Sequence, residues 1–115
     1  MSETIRMSLA KYKVLRELLR APADSHYGYA LMRDTGVKSG SLYPILEQLE
    51  RVGWLEARWE QVNEQTHGRP PRRWYRLTGK GEKAARAATT EYAASLPTRS
   101  SAPRRRPRPA LEPGG

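Results

Sequence analysis

The chain has 115 residues with 21 Lys and Arg against 12 Asp and Glu, a net charge of +9, and that length supports one small domain and excludes multidomain machinery. The lack of cysteine removes a disulfide framework, a thiolate zinc site and a thiol nucleophile, so the expected compartment is the cytoplasm. No apolar run reaches the roughly 18 to 20 residues of a membrane-spanning helix and residues 1–6 lack a signal-peptide core, so no membrane partner is expected, and the charge points to nucleic acid.

The first periodic segment, about Met7 to Arg20, repeats Leu9, Tyr12, Leu15, Leu18 and Leu19 at three- and four-residue steps, the pattern of an amphipathic helix. It stops before Ala21-Pro22, and Asp24-Ser25 supply turn and N-cap chemistry for a second helix. That helix is expected from about Tyr27 to Asp34, with Tyr27, Ala30 and Leu31 inward and Gly36 as a left-handed cap. A short turn, Val37 to Ser41, leads to a third helix with Leu42, Ile45, Leu46, Leu49 and Val52 inward, ended by Gly53. With Ser41 as N-cap, Pro44 falls at the third helical position, where a missing N–H costs little. Two helices joined by a Gly-containing turn match a helix-turn-helix.

Trp54 to Glu60 and Arg73 to Leu77 alternate as two antiparallel strands. The polar connection Gln61 to Arg72 contains His67-Gly68-Arg69-Pro70-Pro71 and is longer than a tight hairpin turn, which makes it a wing. Thr78 offers an N-cap for a last helix, Lys80 to about Ser95, with Ala84, Ala85, Ala88 and Tyr92 along one side and Pro97 after it. The expected fold is mainly α with a small β-hairpin: a winged helix-turn-helix domain over residues 1–96, closed by a C-terminal helix. The last 19 residues hold 5 basic and 1 acidic residue, against 16 and 11 in residues 1–96. Their Pro, Arg, Ser and Gly composition predicts a disordered basic tail over 97–115.

Particular residues carry a further likeness. His26-Tyr27-Gly28-Tyr29, Ser39-Gly40-Ser41-Leu42-Tyr43-Pro44-Ile45-Leu46, Leu49-Glu50-Arg51-Val52-Gly53-Trp54 and the run from Arg72 to Gly81 resemble the PadR family of bacterial transcriptional regulators, in its shorter form with a single C-terminal helix. The resemblance covers roughly Leu9 to Ala88. It implies a DNA-binding homodimer that presses one recognition helix per subunit into successive major grooves, with the first and last helices meeting between subunits. Pairing two modules about one DNA turn, roughly 34 Å, apart raises affinity and selectivity for a near-palindromic operator. Tyr12, Leu15 and Leu19 on the first helix and Ala84, Ala88 and Tyr92 on the last are the expected dimer surface. Related regulators often sense small aromatic or cationic molecules at that seam, so a small-molecule effector is compatible with the resemblance.

On the third helix the inward set turns Ser41, Pro44, Gln48 and Arg51 outward, with Tyr43 and Glu47 at the edge. Ser39, Ser41 and Tyr43 can donate to phosphates beside free backbone N–H groups, Gln48 suits adenine and Glu47 suits cytosine. Lys38 on the turn is an expected phosphate contact. His67, Arg69, Arg72 and Arg73 make a stiff cationic wing able to lie on the backbone or enter a narrow minor groove; the bland alternative is a solubilising loop. Trp54, Trp59 and Trp74 are expected to pack rather than stack on bases, at least one or two of them.

Catalysis finds little support. Asp24-Ser25-His26 holds triad letters, but sequence neighbours rarely adopt triad geometry. Two histidines without a nearby carboxylate pair make a weak metal site, and Thr78-Gly79-Lys80-Gly81 is too short for a phosphate loop. No cofactor is expected. The leading expectation is a sequence-specific regulator acting as a repressor; the alternative is a winged-helix protein-interaction or architectural DNA-associated module without operator specificity.

Overall fold

The computed structural model describes residues 5–61 and 68–97, and in it the first helix, α1 (Leu9–Arg20), starts where the Ser8 hydroxyl accepts from the Lys11 N–H at 3.2 Å. Its buried residues are Val14, Leu15 and Leu18, whereas Leu9 is exposed. The core-facing stripe is therefore narrower than the leucine repeat suggested and includes a valine outside that repeat. Leu15 was expected at a subunit surface and is corrected here: it is fully buried in the chain's own core, because α1 is covered by other helices and touches β3 as well.

After the turn at Ala21, His26–Tyr27 form a two-residue strand, β1, and α2 runs over Gly28–Thr35. The Asp24-Ser25 cap is not used: Tyr27 is the N-cap residue of α2 and makes no side-chain capping bond. Gly36 ends α2 in the left-handed region at φ 76°, its N–H donating to the Met32 carbonyl at 2.9 Å, as a helix C-terminus requires.

Helix α3 spans Ser39–Arg51 with Lys38 at its N-cap, three residues before the expected Ser41 cap. Pro44 is consequently the sixth helical residue, inside the helix rather than in its first three positions. Lacking an N–H, it forgoes the bond to the Gly40 carbonyl. Leu42, Ile45, Leu46 and Leu49 are buried as the spacing predicted. The helix closes with the Trp54 N–H on the Leu49 carbonyl (2.9 Å), the Gly53 N–H on that of Glu50 (3.0 Å) and Gly53 at φ 85°, the paired bonds of a Schellman cap.

Strands β2 (Leu55–Trp59) and β3 (Arg73–Leu77) pair antiparallel, with Leu55 opposite Leu77 and Trp59 opposite Arg73. The expected hairpin is a three-stranded sheet in the order β1-β3-β2, since His26 and Tyr27 pair with Tyr75 and Trp74. Trp54 lies before the strand and packs against the core. Tyr75 and Leu77 face inward with Leu55.

Helix α4 (Gly79–Ser95) begins at Thr78, whose hydroxyl accepts from the Gly81 N–H at 2.9 Å and donates to the Gly53 carbonyl at 2.7 Å. Lys80 Nζ donates to the Val52 carbonyl at 3.1 Å, so the start of α4 is fastened to the end of α3. An added Cβ on Gly81 would collide with the Trp54 carbonyl, with its C and Cα only 2.6 Å away. The inward face of α4 is Gly81, Ala85 and Thr89; of the side expected to carry Ala84, Ala85, Ala88 and Tyr92, Ala85 is in the core and the other three are half-buried. The tail from 98 onward lies outside the described residues. No helix among the described residues is long and apolar enough to cross a membrane.

Candidate nucleic-acid interface

Burying Leu42, Ile45, Leu46 and Leu49 on one side of α3 forces its other side to solvent. Lys38, Ser39, Ser41, Tyr43, Pro44 and Glu47 are exposed there. Gln48, expected on the outward face, is half-buried. The Lys38 carbonyl accepts from the Ser41 and Leu42 N–H groups at 3.0 and 2.8 Å, which leaves the Ser39 and Gly40 N–H groups as donors without intrahelical acceptors. A helix start with free N–H groups beside hydroxyls and a lysine suits a phosphate.

Tyr43 is 42% exposed yet does not hang free. A Cβ built on Gly28 would meet the Tyr43 hydroxyl and lie 2.9 Å from the ring carbons Cε1 and Cζ. The absence of a side chain at the start of α2 therefore makes room for the tyrosine of α3. This contact couples the two helices of the helix-turn-helix at its solvent face.

The wing is organised by Glu60, a residue the sequence reading left unassigned. Its carboxylate accepts from Arg69 Nη1 at 2.7 Å and Nη2 at 3.3 Å, from the Tyr27 hydroxyl at 2.9 Å and from the Arg72 N–H at 3.2 Å. Its own N–H donates to the Arg72 carbonyl at 2.7 Å. The Arg69 guanidinium first, with Tyr27 and the Arg72 amide, holds the Glu60 pKa at about 2, against some opposing desolvation. The same bond raises the Tyr27 hydroxyl above its ordinary value. Charge-assisted bonds of this kind are stronger than neutral ones, so Glu60 ties the base of the wing to β1.

The expected cationic wing is accordingly sorted by partner. Arg69 is spent on Glu60, and Arg73 is paired with Glu50 at 3.2 Å with its guanidinium 5.3 Å from the Trp59 ring centroid. Arg58 and Arg76 both pair with Glu56, at 3.0 and 3.6 Å. Arg72 has no carboxylate partner among the described residues; it is exposed and its guanidinium lies 4.8 Å from the Tyr29 ring centroid. His67 lies outside the described residues. Tyr29, 46% exposed, carries no expectation from the sequence; Trp59, one of the three tryptophans weighed between packing and base stacking, is 61% exposed, whereas Trp54 packs on the core. A clue was available for Trp59: it ends its strand beyond the last buried position.

Of the other expected site residues, Tyr12 and Tyr92 are half-buried against each other, ring centroids 5.1 Å apart, and Leu19 is half-buried. His26 spends Nε2 on the Ala21 carbonyl at 2.9 Å, while Asp24 and Ser25 are exposed.

A profile described as the transcriptional regulator PadR-like family matches residues 15–87, more than half of the chain. Among curated proteins the search finds no match. Among solved structures, a PadR-like transcription factor from Bacteroides fragilis is 25% identical with a TM-score of 0.59, covering 73% of this chain and 80% of that one. A PadR family transcription regulator from Clostridium difficile R20291 is 21% identical with a TM-score of 0.59, covering 76% and 90%. Reduced AbfR bound to DNA, at 21% identity and a TM-score of 0.59, covers 84% of this chain and 62% of that one. The last two likenesses are of fold.

Proposed function

Because this chain belongs to the PadR-like family of transcriptional regulators, we propose that it is a sequence-specific DNA-binding regulator, a homodimeric repressor that occupies a near-palindromic operator. The observation that carries this reading is the shared exposure of Lys38, Ser39, Ser41, Tyr43 and Pro44 at the α3 start beside the exposed Arg72 of the wing, which has no carboxylate partner among the described residues. Free helix N–H groups and hydroxyls position a duplex by its phosphates, and side chains on the same helix face read base edges. Ser41, Tyr43 and Pro44 are the residues proposed for the groove, with Lys38, Ser39 and Arg72 on the backbone. Gln48, half-buried, reaches bases only through its amide end, and Arg69 and Arg73 contribute through the wing's geometry.

A second copy is proposed to cover Leu9, Tyr12, Leu19, Ala84, Ala88 and Tyr92, a surface of partly exposed apolar groups on the two helices that flank the core. Residues 1–96 form the working domain in this reading, 97–115 a basic appendage, and the cytoplasm the place of action.

Selection of bound duplexes from a random pool tests the proposal. The expected product is a near-palindrome with half-sites about one helical turn apart. Retention without sequence enrichment refutes operator reading and favours the architectural alternative. Sedimentation at micromolar concentration is expected to give twice the 13.1 kDa chain mass; a monomer that binds tightly refutes the dimer.

A further inference from the structure

We propose that the cleft bounded by Tyr29, Tyr43, Trp59 and Arg72 is the seat of one sugar–phosphate strand of the bound duplex, so that Tyr29 and Trp59 are DNA-contacting residues. The proposal rests on the DNA-binding reading and adds to it a backbone track between the recognition helix and the wing.

The cleft is an open trough of about 300 Å³ that also touches Gly28 and Arg73. Its walls come from different parts of the chain. Tyr29 belongs to the first turn of α2, Tyr43 to α3, Trp59 to the end of β2, and Arg72 to the wing. Three large aromatic side chains exposed around one trough leave apolar surface that the monomer does not cover, the usual mark of an interaction site.

Charge selects the occupant. The trough carries Arg72 over the Tyr29 ring and Arg73 over the Trp59 ring, a cationic edge above each aromatic face. On the other side of Tyr43 a second cleft is lined by Pro44, Glu47, Glu50, Tyr75 and the opposite side of Arg73, which is paired there with Glu50 at 3.2 Å. Arg73 offsets Glu50 there and Glu47 leaves that cleft with a net negative charge, whereas the trough adds Arg72 and holds no carboxylate in its lining, so a strand leaving the α3 start is steered to the Tyr29 and Trp59 side. There the rings pack on deoxyribose while Arg72 takes a phosphate oxygen. Such contacts set register and affinity without choosing bases.

The trough is also braced. Tyr27 stacks on Tyr29, centroids 5.6 Å apart, and donates to Glu60, which holds Arg69 and the Arg72 amide. The α2 wall and the wing wall are thus joined by one hydrogen-bonded strut, and the strand enters a gap whose width is set beforehand, which limits the ordering cost of binding.

The test measures full-chain binding to a selected duplex and to a random duplex across a salt series, with thermal melting as the folding control. Trp59→Ala and Tyr29→Ala, both removing exposed rings, are expected to melt near wild type and to weaken both duplexes in parallel, by about tenfold or more. Trp59→Tyr is expected to recover most of the loss. Arg72→Ala is expected to lower the slope of log K against log salt by about 0.9 per subunit. Wild-type affinity in the three alanine variants overturns the trough while leaving the DNA-binding reading intact. Altered base preference in the selected site overturns the backbone assignment. A wild-type chain that retains no duplex overturns both.

Discussion

Replacing Gly28 by alanine separates stability from binding, because the methyl group meets a movable side chain. The built Cβ lies 2.9 Å from Tyr43 Cε1 and Cζ and closer still to its hydroxyl, whereas carbon atoms settle at about 3.5 to 4.0 Å. The ring must therefore retreat by about half an ångström or more. The obstructing atoms are the far end of a tyrosine that is 42% exposed, so it can swing toward solvent at an off-rotamer cost of about 0.5–1.5 kcal/mol. Alanine returns part of this, since glycine is about 0.5–1 kcal/mol poorer in a helix interior and Gly28 stands at a helix start. The two effects nearly cancel, and the melting temperature is expected to shift by only a few degrees. DNA affinity is expected to fall about tenfold or more, because Tyr43 leaves its place on the α3 face. Titration of a labelled selected duplex, beside a melting curve, measures both quantities. A folded Gly28→Ala protein with wild-type affinity refutes the argument that Gly28 positions Tyr43.

Gly81→Ala is expected to behave oppositely: the clash is with the Trp54 backbone, which cannot swing away, and the loss is expected to reach about 3 kcal/mol, the upper part of the overpacking range. A melting curve like wild type would show that α4 can shift off Trp54. Leu46→Ala, at a fully buried site, is expected to cost roughly 2 to 5 kcal/mol in denaturant unfolding, and a loss well below that range would contradict its tight packing. Glu60 is held at about 2 against an ordinary 4.5, so its contribution is complete above pH 4.5 and is lost as pH falls toward 2. Hydrogen-exchange protection of the Glu60 and Arg72 amides, taken relative to the intrinsic exchange rate at each pH, is expected to fall over that window in wild type and to lack the step in Glu60→Gln; identical profiles refute the strut. Deleting residues 97–115, with 5 basic and 1 acidic residue, is expected to flatten the salt slope by roughly 1 to 4 units per chain without changing base preference, and an unchanged slope leaves the tail no role on DNA.

The helix-turn-helix was legible without coordinates because its determinants are local. Leucines at three- and four-residue spacing commit one side of α3 to the core, Gly36 and Gly53 adopt the left-handed caps their positions suggest, and Thr78 caps α4 through its own hydroxyl. The exposed start of α3 follows from the same periodicity, which is why Lys38, Ser39, Ser41, Tyr43 and Pro44 could be named from the sequence. The arrangement around the wing could not. A strand of two residues has no periodicity to read, and His26–Tyr27 becomes β1 only because β3 supplies its hydrogen bonds. Which arginine keeps its charge for a partner depends on carboxylates remote in sequence: Glu60 takes Arg69, Glu50 takes Arg73, and Arg72 is left on the Tyr29 ring. The burial of Leu15, and of Gly81 and Thr89 beside Ala85 on α4, was likewise decided by packing. Composition and spacing settle which faces a helix has; only the close approach of distant segments settles what each face meets, because desolvation and ion pairing act between neighbours in space.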